Sequence, residues 1–358
     1  MSEFRIRIGL VLLIFIQGYS QECGESPCCE DPYEIGTNFF VSGEYLYWQP
    51  NEGGLDYGIL VKNFSTPPLQ TGGPSSLNFQ WSNGYRLEAG YRLPNDRWEI
   101  SARWTQFSSL AKGNTIANSA ELLFPQFTNS VLVDSLSTSP ITEIKGRWKL
   151  HLKMIDGEFS RRYNAAYFLL LRPLIGVRGA WIDQDYKIEH LGGLSNSPLG
   201  SFPLIQDNLS MSNHYKGVGL RMGLDSSWKI IDQLSFYGKG TVSLLYSTFS
   251  VLTKESQSSL SSPSFIEISA VQFSKHQISA MLDLSAGIEW SYLFCNNRAA
   301  LHLSVGWEFN DFFGQNKFSN PIFTQIINGP NIGSSLVSLE KNEDLTTQGL
   351  VTSARLDF

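Results

Sequence analysis

What most constrains this chain is alternation with a period of two, sustained in segment after segment. Between 278 and 292, Ile278, Ala280, Leu282, Leu284, Ala286, Ile288, Trp290 and Tyr292 share one parity, while Ser279, Asp283, Ser285, Gly287, Glu289 and Ser291 occupy the other. The next stretch sets Ala299, Leu301, Leu303, Val305, Trp307 and Phe309 against His302, Ser304, Gly306, Glu308 and Asn310. Successive side chains of a strand point to opposite faces, so each segment reads as a strand with one apolar and one polar face. Tyr85, Leu87, Ala89, Tyr91 and Leu93 repeat the pattern, as do Trp98, Ile100, Ala102 and Trp104. Trp148, Leu150, Leu152 and Met154 alternate with Arg147, Lys149, His151 and Lys153. Between 154 and 158 the parity slips, as a β-bulge would make it.

Alternation accounts for a composition that otherwise looks contradictory. Apolar residues make up 42% of 358 residues and aromatics 13%, yet mean hydropathy is only −0.12. The one continuous apolar run, 8–16, is shorter than the roughly 20 residues of a membrane-spanning helix. Behind Arg5 and Arg7, and followed by Gly18 and Ser20, it reads as a secretory signal peptide over 1–20. The aromatic content excludes a disordered chain, and a net charge of −6 gives no reason to expect nucleic acid as a partner. Export makes disulfides the expected state of Cys23, Cys28, Cys29 and Cys295. Three of these lie in a Cys-rich stretch, 21–36, with no histidine to complete a zinc site.

Ten alternating segments can be marked: 37–49, 78–93, 96–108, 142–160, 165–188, 213–230, 234–253, 273–294, 298–313 and 346–358. Short turns alternate with long polar connections along the whole chain. A soluble sandwich gives no reason for that rhythm, whereas a transmembrane barrel does, with short periplasmic turns and long external loops. Aromatics near segment ends, such as Trp98, Trp181, Trp228 and Trp290, suit interfacial girdles. The expected fold is therefore all-β: a transmembrane antiparallel up-and-down barrel over 37–358 with about ten strands. The alternative is twelve, should 117–133 or 317–337 hide a hairpin. Phe358, ending the last strand, is the expected assembly signal, which makes the barrel-assembly machinery and outer-membrane lipid the expected partners.

Several phrases resemble the major outer membrane protein family of Legionella and its relatives in Chlamydia-like bacteria. They are FFVSGEYLYWQPNEGGLDYG (39–58), GYRLPNDRWEI (90–100), IDGEFSRRY (155–163), LLLRPLIGVRGAWIDQDY (169–186), GVGLRMGLDSSWKI (217–230), SLLYSTF (243–249) and TTQGLVTSARLDF (346–358). The resemblance implies an abundant outer-membrane surface protein, classed as porin-like, that passes small hydrophilic solutes or ions. The alternative is a non-conducting structural or adhesive barrel. The Cys-rich segment resembles the chlamydial habit of cross-linking envelope proteins, which implies a homo-oligomer or disulfide-linked envelope proteins as partners. The family is not defined by catalytic residues, and no cofactor is implied.

The polar parity supplies candidate lumen-lining residues: Glu44, Arg86, Glu88, Arg92, Glu99, Arg103, Lys149, His151, Lys153, Arg172, Arg178, Arg221, Asp225, Lys239, Asp283, Glu289, Glu308, Arg355 and Asp357. Basic groups slightly outnumber acidic ones, which predicts weak anion preference in an open pore. Ten strands enclose little space, however, so these charges could equally pair with one another. Asp183, Asp185, His190 and His214 fall near the outer rim without the paired-carboxylate and Asp-His arrangement of an outer-membrane protease, so no enzyme is expected.

Overall fold

In the computed structural model the described residues are 38–62, 71–93, 97–119, 121–127, 131–132, 140–197, 200–260, 262–294, 299–328 and 331–358. The expected signal segment, the Cys-rich segment and all four cysteines lie outside them. Ten strands form the wall: β1 (Phe39–Glu52), β2 (Ser82–Arg92), β3 (Trp98–Ile116), β4 (Ile141–Arg161), β5 (Leu169–Gly192), β6 (Gly200–Ile231), β7 (Leu234–Ser259), β8 (Ile266–Phe294), β9 (Ala299–Asn316) and β10 (Glu343–Asp357). Each pairs antiparallel with its sequence neighbours, and β10 returns to β1 in the register Phe40↔Asp357, which closes the barrel. Phe358 finishes that seam by exchanging backbone hydrogen bonds with Phe39, at 3.1 and 2.9 Å.

The twelve-strand alternative is not realised. Ser319–Asn328 and Asn331–Glu340 do form a hairpin within the last long connection, but they pair only with each other. Gly58–Lys62 pairs with Thr71–Ser75 and with Glu121–Pro125 in a separate three-stranded sheet.

The strands are much longer than a membrane requires. β6 runs for 32 residues and β8 for 29, against roughly 9–11 for a bilayer crossing. Much of what reads as long polar loop is strand continuing past the membrane. This divides the barrel into two storeys along an unbroken wall.

In the lower storey, on the side of the short turns, apolar side chains face outward: Ile175, Val177, Val218, Leu220 and Ile288 are 46–64% exposed. Polar side chains point in. In the upper storey the two faces exchange character. On β4, Trp148, Leu150, Leu152 and Met154 are buried inside, and Arg147, Lys149, His151 and Lys153 are exposed outside. The parity itself never slips: β4 keeps a continuous register against β3 from Arg161 to Glu143, so the expected bulge at 154–158 is absent. The medium outside changed from lipid to water, and the inside changed with it.

The upper storey holds an apolar core gathered from every strand of the wall except β2, including Leu46, Phe107, Leu150, Ile182, Met211, Leu245, Met281, Phe312 and Leu345. Trp48, Trp148, Tyr186 and Tyr215 are fully buried in it. Below, the paired inward glycines Gly287 and Gly306 leave space for the Tyr237 ring, whose hydroxyl a Cβ at either position would strike.

Candidate functional site

Among the described residues, the topology converges charged side chains from many strands in the lumen, so the function rests on its geometry. Alternation aims Glu44 of β1, Arg86 and Glu88 of β2, Glu99 and Arg103 of β3, Arg172 and Arg178 of β5, Arg221 and Asp225 of β6, Asp283 of β8 and Glu308 of β9 into the lower storey. Their ion pairs join register neighbours along the wall and also reach strands further round the barrel. Arg86 reaches Glu44 at 2.6 Å and Glu308, three strands away, at 2.8 Å. Arg172 joins Glu99 and Asp225, both at 2.5 Å. Arg178 joins Asp156 at 2.6 Å and Asp283 at 2.9 Å. Arg221 contacts Asp283 at 2.6 Å and Glu158 at 3.1 Å. Arg103 ties Glu88 at 3.0 Å to Glu158 at 3.3 Å.

A second cluster closes the short-turn end. Arg355 and Arg92 both contact Asp357, at 2.7 and 3.0 Å, and Arg355, Arg162 and Arg92 surround Glu99. His302 lies 3.3 Å from Glu289. Lys239 shares the inward parity but has no ion pair among the described residues, and its ammonium lies 5.2 Å from the Tyr237 ring centre.

Three expected lumen residues are elsewhere. Lys149, His151 and Lys153 stand on the outer wall of the upper storey, because β4 carries its apolar residues inward once it leaves the membrane. Two lumen residues were missed for the same reason. Asp156 and Glu158, 2% and 3% exposed, sit on the inward parity of β4, the parity an assumed slip had reassigned. An unbroken alternation through 141–161 would have found both. These changes remove the excess of basic groups on which an anion preference rested.

Within the charged layer a cavity of about 50 Å³ is bordered by Glu44, Arg86, Asp156, Arg178, Asp283 and Glu308. That is room for a few waters. Above it stands the apolar core. The rim residues are separated: His190 contacts Asp207 at 2.9 Å with both side chains sealed from solvent, whereas His214 contacts Asp183 at 2.7 Å on the outer wall.

Solved structures with a similar course include the outer membrane protease OmpT of Escherichia coli (12% identity over 90% of this chain and 96% of that one, TM-score 0.38). Others are the attachment invasion locus protein Ail of Yersinia pestis (8%, 89% and 98%, TM-score 0.24) and the toluene transporter TbuX of Ralstonia pickettii (9%, 92% and 92%, TM-score 0.29). At these values the likeness bears on neither activity nor ligand. Comparison with curated proteins gives no match. Over residues 26–358, however, the sequence matches the family described as Legionella pneumophila major outer membrane protein precursor. With its closed ten-stranded wall and apolar outer band, the chain belongs to this family of outer-membrane β-barrels.

Proposed function

We propose that this protein is a closed, non-catalytic outer-membrane barrel whose role is structural and at the cell surface, not a general diffusion pore. The observation that carries the proposal is the double filling of its interior. Arg86, Arg172, Arg178 and Arg221 brace the lower storey through ion pairs, and the apolar core occupies the upper one. Hydrated ions would have to displace both. Separating a buried pair leaves an uncompensated charge at a cost of about 3–5 kcal/mol, and a passing solute would disturb several pairs at once. The extended storey presents a large polar wall beyond the membrane, which suits contact with the surroundings more than transport.

The deciding measurement is planar-bilayer conductance of the refolded protein, with heat-modifiable gel migration showing that the barrel is intact. No stepwise conductance is expected from the folded form. Reproducible single-channel steps with a defined ion selectivity would overturn the closed barrel and restore the porin-like function that the family resemblance implies.

A further inference from the structure

We propose that the outer wall of β4, β5 and β6 carries a binding site for the phosphorylated headgroup of an outer-leaflet lipid, built on Lys153, Trp181 and Lys216. The three residues are direct neighbours across adjacent strands, since Lys153 pairs in register with Trp181 and Trp181 with Lys216. All three point outward and are exposed. Strands about 4.8 Å apart place the two lysine backbones close enough for both ammonium groups to converge on one phosphate over the indole.

The height of the row matters as much as its charge. Immediately below it the outer wall is apolar, with Ile155, Val177, Val218 and Leu220 between 52% and 64% exposed. Lipid chains lie there, so Lys153 and Lys216 stand where headgroups begin. Following the register sideways, the row continues through Gln106 and Tyr85 on one side and Thr248 and His276 on the other. The two lysines are thus the formally charged side chains of this row, and both flank the interfacial tryptophan.

Neither lysine has an ion pair among the described residues. The acid nearest above them, Asp183, is taken by His214 at 2.7 Å. Further from the membrane on the same face of β4 stand Lys149 and Arg147, with Asp185 opposite Lys149. Tryptophan anchors at the headgroup level, and lysines just outside it attract anionic headgroups. Gly157 and Gly179 face outward below the row, and the Trp181 ring lies over Gly179. The site is independent of whether the lumen conducts.

The test is titration of the detergent-folded full chain with bisphosphorylated lipid A, its dephosphorylated form and inorganic phosphate, read by native mass spectrometry. The wild type is expected to retain the bisphosphorylated lipid, and the K153Q/K216Q variant to bind it about 20-fold more weakly. K62Q, which removes an exposed lysine elsewhere, is expected to bind like the wild type. Equal binding by K153Q/K216Q and wild type would overturn the proposal. So would equal binding of the dephosphorylated lipid, or full displacement by inorganic phosphate at the same phosphate concentration, which would indicate a free-anion site. Should the double variant fail to migrate as a folded barrel, K153Q and K216Q singly carry the same comparison.

Discussion

Lys153 and Ile155 lie two residues apart on the same outward face of β4, one at the level of the tryptophan Trp181 and the other beneath it. The step between them, roughly 7 Å along a strand, marks where the outer wall leaves lipid for water. Inside, Met154 and Asp156 make the opposite change over the same distance, from apolar core to ion pair.

The position of that boundary predicts opposite tolerances on one face of β5. Ile175→Lys, in the apolar band, should cost about 2–4 kcal/mol, while Asp185→Lys, above the boundary, should stay within about 0.5 kcal/mol. Urea titrations followed by heat-modifiable migration compare the two directly; equal losses would mean that the membrane level is misplaced.

Breaking the lumen brace should be severe. Arg86→Ala strands Glu44 and Glu308 and is expected to lower unfolding stability by about 3–5 kcal/mol. Adding Glu308→Gln should recover part of the loss, since it neutralises one of the abandoned carboxylates. No recovery in the double variant would show that the arginine acts through packing alone.

Two tryptophans separate core from girdle. Trp148 is fully buried in the upper storey, whereas Trp104 is 41% exposed on the outer wall. Trp148→Ala should cost about 3–5 kcal/mol, and Trp104→Ala clearly less. The same urea titration ranks them.

Glu52 gives the upper storey a pH dependence. Both its carboxylate oxygens are buried without a hydrogen bond of good geometry. Burial pushes its pKa well above the usual carboxylate range, with Gln184 opposing in part. The folded chain therefore holds this proton more tightly than the unfolded chain does. Its contribution to stability is complete below the unfolded pKa and is lost as pH rises toward the folded value. Glu52→Gln should stabilise the barrel at pH 7.5 by about 1–3 kcal/mol, and the gain should shrink near pH 4. A gain independent of pH would rule out ionisation as its source.

The hairpin from Ser319 to Glu340 should be dispensable for the wall. The backbone amide of Lys341 donates to the Phe318 carbonyl at 3.1 Å, so a short glycine link can replace 319–340. The shortened chain is expected to keep heat-modifiable migration; its loss would mean that the hairpin supports closure.

Much of the architecture is legible in the sequence. In 278–292 and 299–310 apolar and polar residues keep strict parity, and those strands lie as expected, with lipid outside and charge inside. The number of wall strands followed from the rhythm of turns. The segment 141–161 was misread because two chemically opposite alternations share one strand. Lys149 and Asp156 lie on opposite faces, yet each is the polar member of its own stretch.

The sequence by itself therefore determined that the chain is a closed antiparallel barrel, because a period of two dictates that the two faces of each strand differ. It could not determine which face is which along a strand longer than the membrane is thick. Only the tertiary structure decided that, by fixing the height of each residue against its neighbours. Below the boundary the lipid outside demands apolar contacts and the charges turn inward to pair. Above it, water solvates the outer charges and the apolar side chains fill the interior.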